Sequence, residues 1–190
     1  MALKLFMVLL GSKPKGRHTE QHDIYFGIGV ELKDLVPGII ASWPEAAGKI
    51  HIDAWREVTA VDGYAISIEN RGTEMTSSNE PAKLYFINLG GYKPGEFEEF
   101  HYKMLVPAKD KGQAIQLSKA TAFYKHTGFE GAVSHVDDKY GVDVDDIEEI
   151  EDILPEDVKK AYSIRLSKGN DISKNEWHLG YLKIEKLMAL

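Results

Sequence analysis

The chain opens on an apolar run, Leu3 to Leu10, broken only by Lys4, and a run of this length closed by turn residues predicts a strand in the middle of a sheet. A second extended segment follows over 22–29. Between 32 and 43 the period changes. Leu32, Leu35, Val36, Ile39, Ile40 and Trp43 recur at three- and four-residue spacing and predict a helix with one apolar face. Asp34 suits its cap, Pro37 its first turn and Pro44 its end. Further extended segments follow at 49–55 and 64–68.

The same order returns. KLFMVLLGSKPKGRHTEQH from Lys4 and KLYFINLGGYKPGEFEEFH from Lys83 align without gaps, with identities at Lys4/Lys83, Leu5/Leu84, Leu10/Leu89, Gly11/Gly90, Gly16/Gly95, Glu20/Glu99 and His22/His101. Unrelated segments of this length match at about one position. A second block sets 49–55 against 133–140, pairing His51 with His135 and Asp53 with Asp137, and a weaker third sets 64–68 against 162–166. Asp110 caps the second helix, which runs to about Tyr124.

The fold expected is therefore α+β. It is a tandem duplication of a strand-strand-helix-strand-strand unit about a pseudo-twofold axis, with helices packed on one face of mixed sheets. The expected divisions are a first repeat unit over 1–70, a polar linker over 71–82, and a second unit over 83–170 with an acidic insertion at 142–160. Residues 171–190 form a C-terminal extension, in which the alternation over 177–184 predicts an added edge strand.

Composition narrows the function classes. A net charge of −7 makes long-range attraction to nucleic acid or anionic membranes repulsive, so neither partner is expected. The absence of cysteine excludes disulfides, thiolate metal sites and a cysteine nucleophile. The first apolar run lacks the flanking charge and cleavage site of a signal peptide, and no run approaches the length of a membrane span, so the cytoplasm is the expected compartment. An oligomer is compatible with all of this.

Candidate chemistry lies in the repeated polar sets. Four of the seven histidines fall in matched pairs, each two residues from a carboxylate: Glu20 with His22, His51 with Asp53, Glu99 with His101, and His135 with Asp137. Residues two apart on a strand share a face, so each pair puts an acid beside an imidazole. If the two strands of a unit are neighbours, four such groups converge. They can act in acid–base catalysis, hold a metal ion, or satisfy one another as a buried network that fixes register.

Other motifs are weaker. Gly11 to His18 has the two glycines of a phosphate loop, but Arg17 and His18 stand where Lys and Ser/Thr are required. Lys13, Lys15 and Arg17 nonetheless make this the most basic turn of an acidic chain and a candidate anion-binding site. Gly27-Ile28-Gly29 lacks the third glycine of a dinucleotide fingerprint, and the acids of 143–152 lack the spacing of a calcium loop. Neither a Gly-x-Ser-x-Gly elbow nor a His-Glu-x-x-His motif occurs.

Four segments carry a resemblance: GSKPKGRHTEQHD (11–23), KIHIDAWREV (49–58), FINLGGY (86–92) and AFYKHTGF (122–129). With these the chain resembles a bacterial family known only as a conserved domain of unknown function. The resemblance implies a bacterial cytoplasmic protein with the domain present twice, and it supplies no activity, cofactor or catalytic residue. Two classes of function follow. One is binding of, or catalysis on, a small polar or anionic ligand through the Glu/His/His/Asp sets; the other is a non-enzymatic interaction module whose polar sets are structural.

Overall fold

Among the described residues ten strands in chain order carry the architecture: β1 (Lys4–Ser12), β2 (Gln21–Gly29), β3 (His51–Glu57), β4 (Ala60–Val61), β5 (Tyr64–Asn70), β6 (Lys83–Tyr92), β7 (Glu99–Ala108), β8 (Asp143–Glu149), β9 (Tyr162–Lys168) and β10 (His178–Lys183). They come from a computed structural model that describes residues 2–72, 82–92, 95–126, 143–169 and 175–189. The fold is mixed α+β, with antiparallel sheets and few helices. The chain divides into two units, one of 1–74 with 154–190 and one of 75–153.

In the first unit the order β10-β3-β1-β2 forms a four-stranded sheet, and β4-β5-β9 forms a separate three-stranded one. All these pairings are antiparallel. The mixed sheets expected from the sequence are thus replaced by antiparallel ladders, for a topological reason. The segment from β2 to β3 crosses over β1, so β2 and β3 run in the same direction but are separated by the strand to which both are antiparallel. That crossover is a 3-10 turn over Leu32–Leu35 leading into helix α1 (Val36–Ser42), and Pro44 starts a further 3-10 turn over Pro44–Ala46. Asp34 lies inside the first turn rather than at its cap, and its Oδ2 accepts from the backbone N–H groups of Val30 and Glu31 at 3.0 and 2.9 Å.

Phe6, Val8 and Leu10 of β1 meet Tyr25, Leu35, Val36, Ile39 and Ile52 in the core of this unit. Fully burying one such side chain contributes roughly 1.5–3 kcal/mol. The Tyr25 hydroxyl lies where a Cβ on Gly38 would stand, so only glycine lets α1 approach β2 this closely. Burial, reinforced by the carboxylate of Asp157, pushes the Tyr25 phenol up to about 12. An unfolded tyrosine ionises near pH 10, so between about pH 10 and 12 the unfolded chain has lost a proton that the native one retains. Stability from this group is complete below that window and declines as pH rises through it. Urea midpoints measured across it should fall more steeply for the native sequence than for Tyr25→Phe.

The chain ends inside this unit. β10 forms an edge strand on β3, and helix α5, the last in the chain at Ile184–Met188, returns Ile184 and Leu187 to the core. β9 pairs with β5 from Tyr64↔Lys168 to Asn70↔Tyr162. Residues 154–170 therefore lie in the same compact unit as residues 1–74.

In the second unit the sheet order is β7-β6-β8, again antiparallel throughout. Helix α2 (Lys111–His126) lies between β7 and β8 in sequence. Its start is a reciprocal cap: the Gln113 N–H donates to Asp110 Oδ1 and the Lys109 N–H to Gln113 Oε1, both at 2.8 Å. Tyr85, Ile87, Leu89, Met104, Val106 and Ala114 form its core. Of the acidic insertion expected at 142–160, residues 143–149 form β8 and Ile150–Ile153 helix α3, while helix α4 (Glu156–Ala161) lies in the first unit. Val144 and Ile147 pack against this core. The block 133–140, with His135 and Asp137, and most of the expected linker lie outside the described residues.

Candidate functional site

Gly11 sits in register with His22 on one side and with His51 on the other. The strands that carry the two histidines are therefore not neighbours; the histidines flank a glycine on the strand between them. Strands lie about 4.8 Å apart, so the two backbones are separated by roughly twice that, and only an empty position between them lets both imidazoles lean inward. A Cβ on Gly11 would overlap His51 Nε2 and Asp53 Oδ2.

A β-bulge completes the set. Between Leu9 and Leu10 the β1–β3 register shifts, so that Leu10 pairs with Ile52 but Leu9 with Ala54, leaving Asp53 as the extra residue. Trp55 pairs with Val8, which puts it on the core face shared by Leu10 and Ile52. His51 and Asp53 are left together on the opposite face, over Gly11. Re-aiming a side chain in this way is a common use of bulges. The Ser12 hydroxyl donates to the Lys49 carbonyl at 2.8 Å and fixes the approach to β3.

Glu20, at the foot of β2, closes a ring in which acids and imidazoles alternate. His51 Nε2 lies 3.2 Å from Glu20 Oε1 and 3.3 Å from Asp53 Oδ1; His22 Nε2 lies 3.4 Å from Asp53 Oδ2 and 3.9 Å from Glu20 Oε2. Each imidazole presents one nitrogen to two carboxylates. A single N–H can satisfy one acceptor well, not two, whereas a cation can draw all four groups to itself. Asp53 Oδ2 is buried and lacks a hydrogen-bond partner, the state expected of an atom whose partner is a ligand. His51 is buried beneath the ring of Tyr181, whose centroid is 4.4 Å away, while His22 and Glu20 are about half exposed. The site is thus closed on the His51 side and open on the other.

Lys13, Lys15 and Arg17 are exposed on the β1–β2 hairpin, whose turn has Gly16 at φ 86° and an N–H from Arg17 to the Pro14 carbonyl. They lie on the loop that ends at Glu20, and none takes part in the ring.

In the second unit, Glu99, His101 and Asp145 bring one ligand atom each within 4.8 Å of one another, with His101 Nε2 3.3 Å from Asp145 Oδ2. Gly90 pairs with His101, as Gly11 does with His22, and a Cβ on Gly90 would overlap the Asp145 carboxylate. The β6–β8 register shifts between Asn88 and Leu89, so Asp145 occupies a bulge as Asp53 does. Asp145 was not among the residues singled out from the sequence, and the two glycines were legible only as repeat identities. The signal available was the alternation Asp143-Val144-Asp145, which reproduces His51-Ile52-Asp53 with an acid in place of the first imidazole.

Residues 17–68 match the Domain of Unknown Function DUF1543. Across 96% of this chain and 98% of the other, the structure is similar to the crystal structure of protein Il1583 from Idiomarina loihiensis, with a TM-score of 0.62 and 22% sequence identity. At that identity the likeness concerns the fold. No curated protein matches the chain significantly. No helix among the described residues is long and apolar enough to cross a membrane.

Proposed function

We propose that the first unit binds a divalent transition-metal ion through Glu20, His22, His51 and Asp53, and that the ion holds a small anionic ligand on the open side of the site. The observation that carries this reading is the pair of imidazole nitrogens, each facing both carboxylates. The two imidazoles contact different oxygens of each acid, so a shared ion would be held once each carboxylate turns to offer it one oxygen. Two nitrogens and two carboxylates suit zinc or iron. Lys13, Lys15 and Arg17 would supply a second anchor for the anion.

Duplication belongs to the same proposal. The two hairpins share register at Gly11/His22 and Gly90/His101, their third strands lie on the same side of the first, and both third strands carry an aspartate at a bulge. In this reading β5 and β9 are the equivalent last strands of the two copies, paired with each other. The cysteine-free composition is compatible with the bacterial cytoplasm that the family resemblance implies.

A non-enzymatic interaction module is the second reading, favoured by the exposure of Trp177, Leu179 and Tyr181 at 60, 76 and 62% along and beside edge strand β10. Zinc titration of the metal-stripped chain separates the two. His22→Ala and His51→Ala should each weaken zinc binding by more than the roughly 10- to 100-fold that loss of an outer-shell partner costs. Because His22 is exposed, its replacement should leave the metal-free melting temperature nearly unchanged. Unaltered zinc affinity together with a large loss of melting temperature in both variants would instead assign the ring a purely structural role.

A further inference from the structure

We infer that the second unit carries a cation site of its own, formed by Glu99, His101 and Asp145, and that it takes a harder divalent ion, Mn2+ or Mg2+, than the first unit does. The site rests on its own geometry and stands whether or not the first unit binds metal.

Three observations carry the inference. The first is the donor set. Glu99, His101 and Asp145 converge within 4.8 Å, one imidazole with two carboxylates where the first unit's ring has two of each. The smaller share of imidazole shifts the balance from nitrogen to oxygen, and with it the preference from zinc toward manganese and magnesium.

The second is what surrounds Asp145 on β8. Glu149 accepts from Lys83 at 2.8 Å, Glu148 lies 3.6 Å from Lys111, and Asp146 accepts from Asn88 at 3.1 Å. These acids are matched by cationic or amide groups. Asp145, by contrast, faces an imidazole and a second carboxylate across Gly90, an arrangement that a cation stabilises and that repulsion between the two acids otherwise disfavours.

The third is the charge of the adjoining hairpin. The first unit's loop carries Lys13, Lys15 and Arg17; between β6 and β7 the corresponding loop carries Glu96 and Glu98, with Lys93 its one basic residue. The two entrances thus have opposite electrostatic character. One favours an anion beside its ion, and the other favours arrival of the ion itself.

The full-length, metal-stripped protein can be titrated with Mn2+ and free Mn2+ followed by its electron paramagnetic resonance. Wild type should show a Mn2+ site that Asp145→Asn and Glu99→Gln each weaken by at least about 10-fold. His51→Ala should leave that site in place. Circular dichroism checks folding, and since Glu99 is exposed, Glu99→Gln decides the matter if Asp145→Asn fails to fold. Retention of wild-type Mn2+ binding in both variants, or no retention of Mn2+ by wild type at millimolar concentration, overturns the inference. Loss of Mn2+ binding in His51→Ala but not in Glu99→Gln would transfer the site to the first unit and overturn it as well.

Discussion

Gly11→Ala should abolish zinc retention while leaving most of the fold in place. The added methyl overlaps His51 Nε2 and Asp53 Oδ2, both of which are ends of side chains, so the overlap is relieved by swinging the two groups aside rather than by moving β1. The backbone conformation poses no obstacle, since Gly11 lies within an ordinary strand and its φ is not positive. Displacing two of the four candidate ligands from their common point should cost at least about 100-fold in affinity, beyond the usual effect of an outer-shell change. Melting temperature should fall only modestly. The experiment is a zinc competition titration against a chromophoric chelator, paired with a thermal melt of the same sample. Full zinc affinity in a folded Gly11→Ala protein would mean that the ring is not the metal-binding centre.

Ile52→Ala should give the opposite pattern, a large loss of stability. Ile52 sits between His51 and Asp53 in sequence but points into the core, where it is fully buried beside Leu10. Truncation removes the buried methyl groups and leaves a cavity, which for isoleucine typically costs 2–5 kcal/mol. A denaturant titration should show the midpoint falling with little change in slope. Since the same residue holds β3 against β1, zinc affinity measured well below the new midpoint should fall far less than in Gly11→Ala. A stability loss below about 1 kcal/mol would show that this part of the core re-packs freely.

The sequence disclosed the parts that depend on local spacing. The two hairpins were legible because Gly11 and Gly90 keep a fixed distance from His22 and His101, and the pairing Glu20/His22 and His51/Asp53 follows from the two-residue period of a strand. Non-local features were not legible. Identity of residue type sets His51 against His135, which lies outside the described residues, and only the ladder itself shows that Asp143 is the residue in register with Gly90. The likeness of 64–68 to 162–166 gave no hint that β5 and β9 pair with each other. Nor did alternation reveal the bulges, which insert one residue and separate Trp55 from the face occupied by His51 and Asp53.

That β5–β9 ladder also bears on how the polypeptide is made. Everything from Met75 to Ile153 emerges from the ribosome as one uninterrupted stretch and can reach its native state early. The unit begun by the first 74 residues must wait for the last 37, which supply β9, β10 and the closing helix. Until residues 154–190 have been made, β5 lacks its partner on one side and β3 lacks its outer neighbour, so two hydrogen-bonding edges stand open on the nascent chain. A stop codon before Tyr162 would therefore release a product prone to aggregate through those edges, even though all the residues of the two proposed metal sites had already been synthesised.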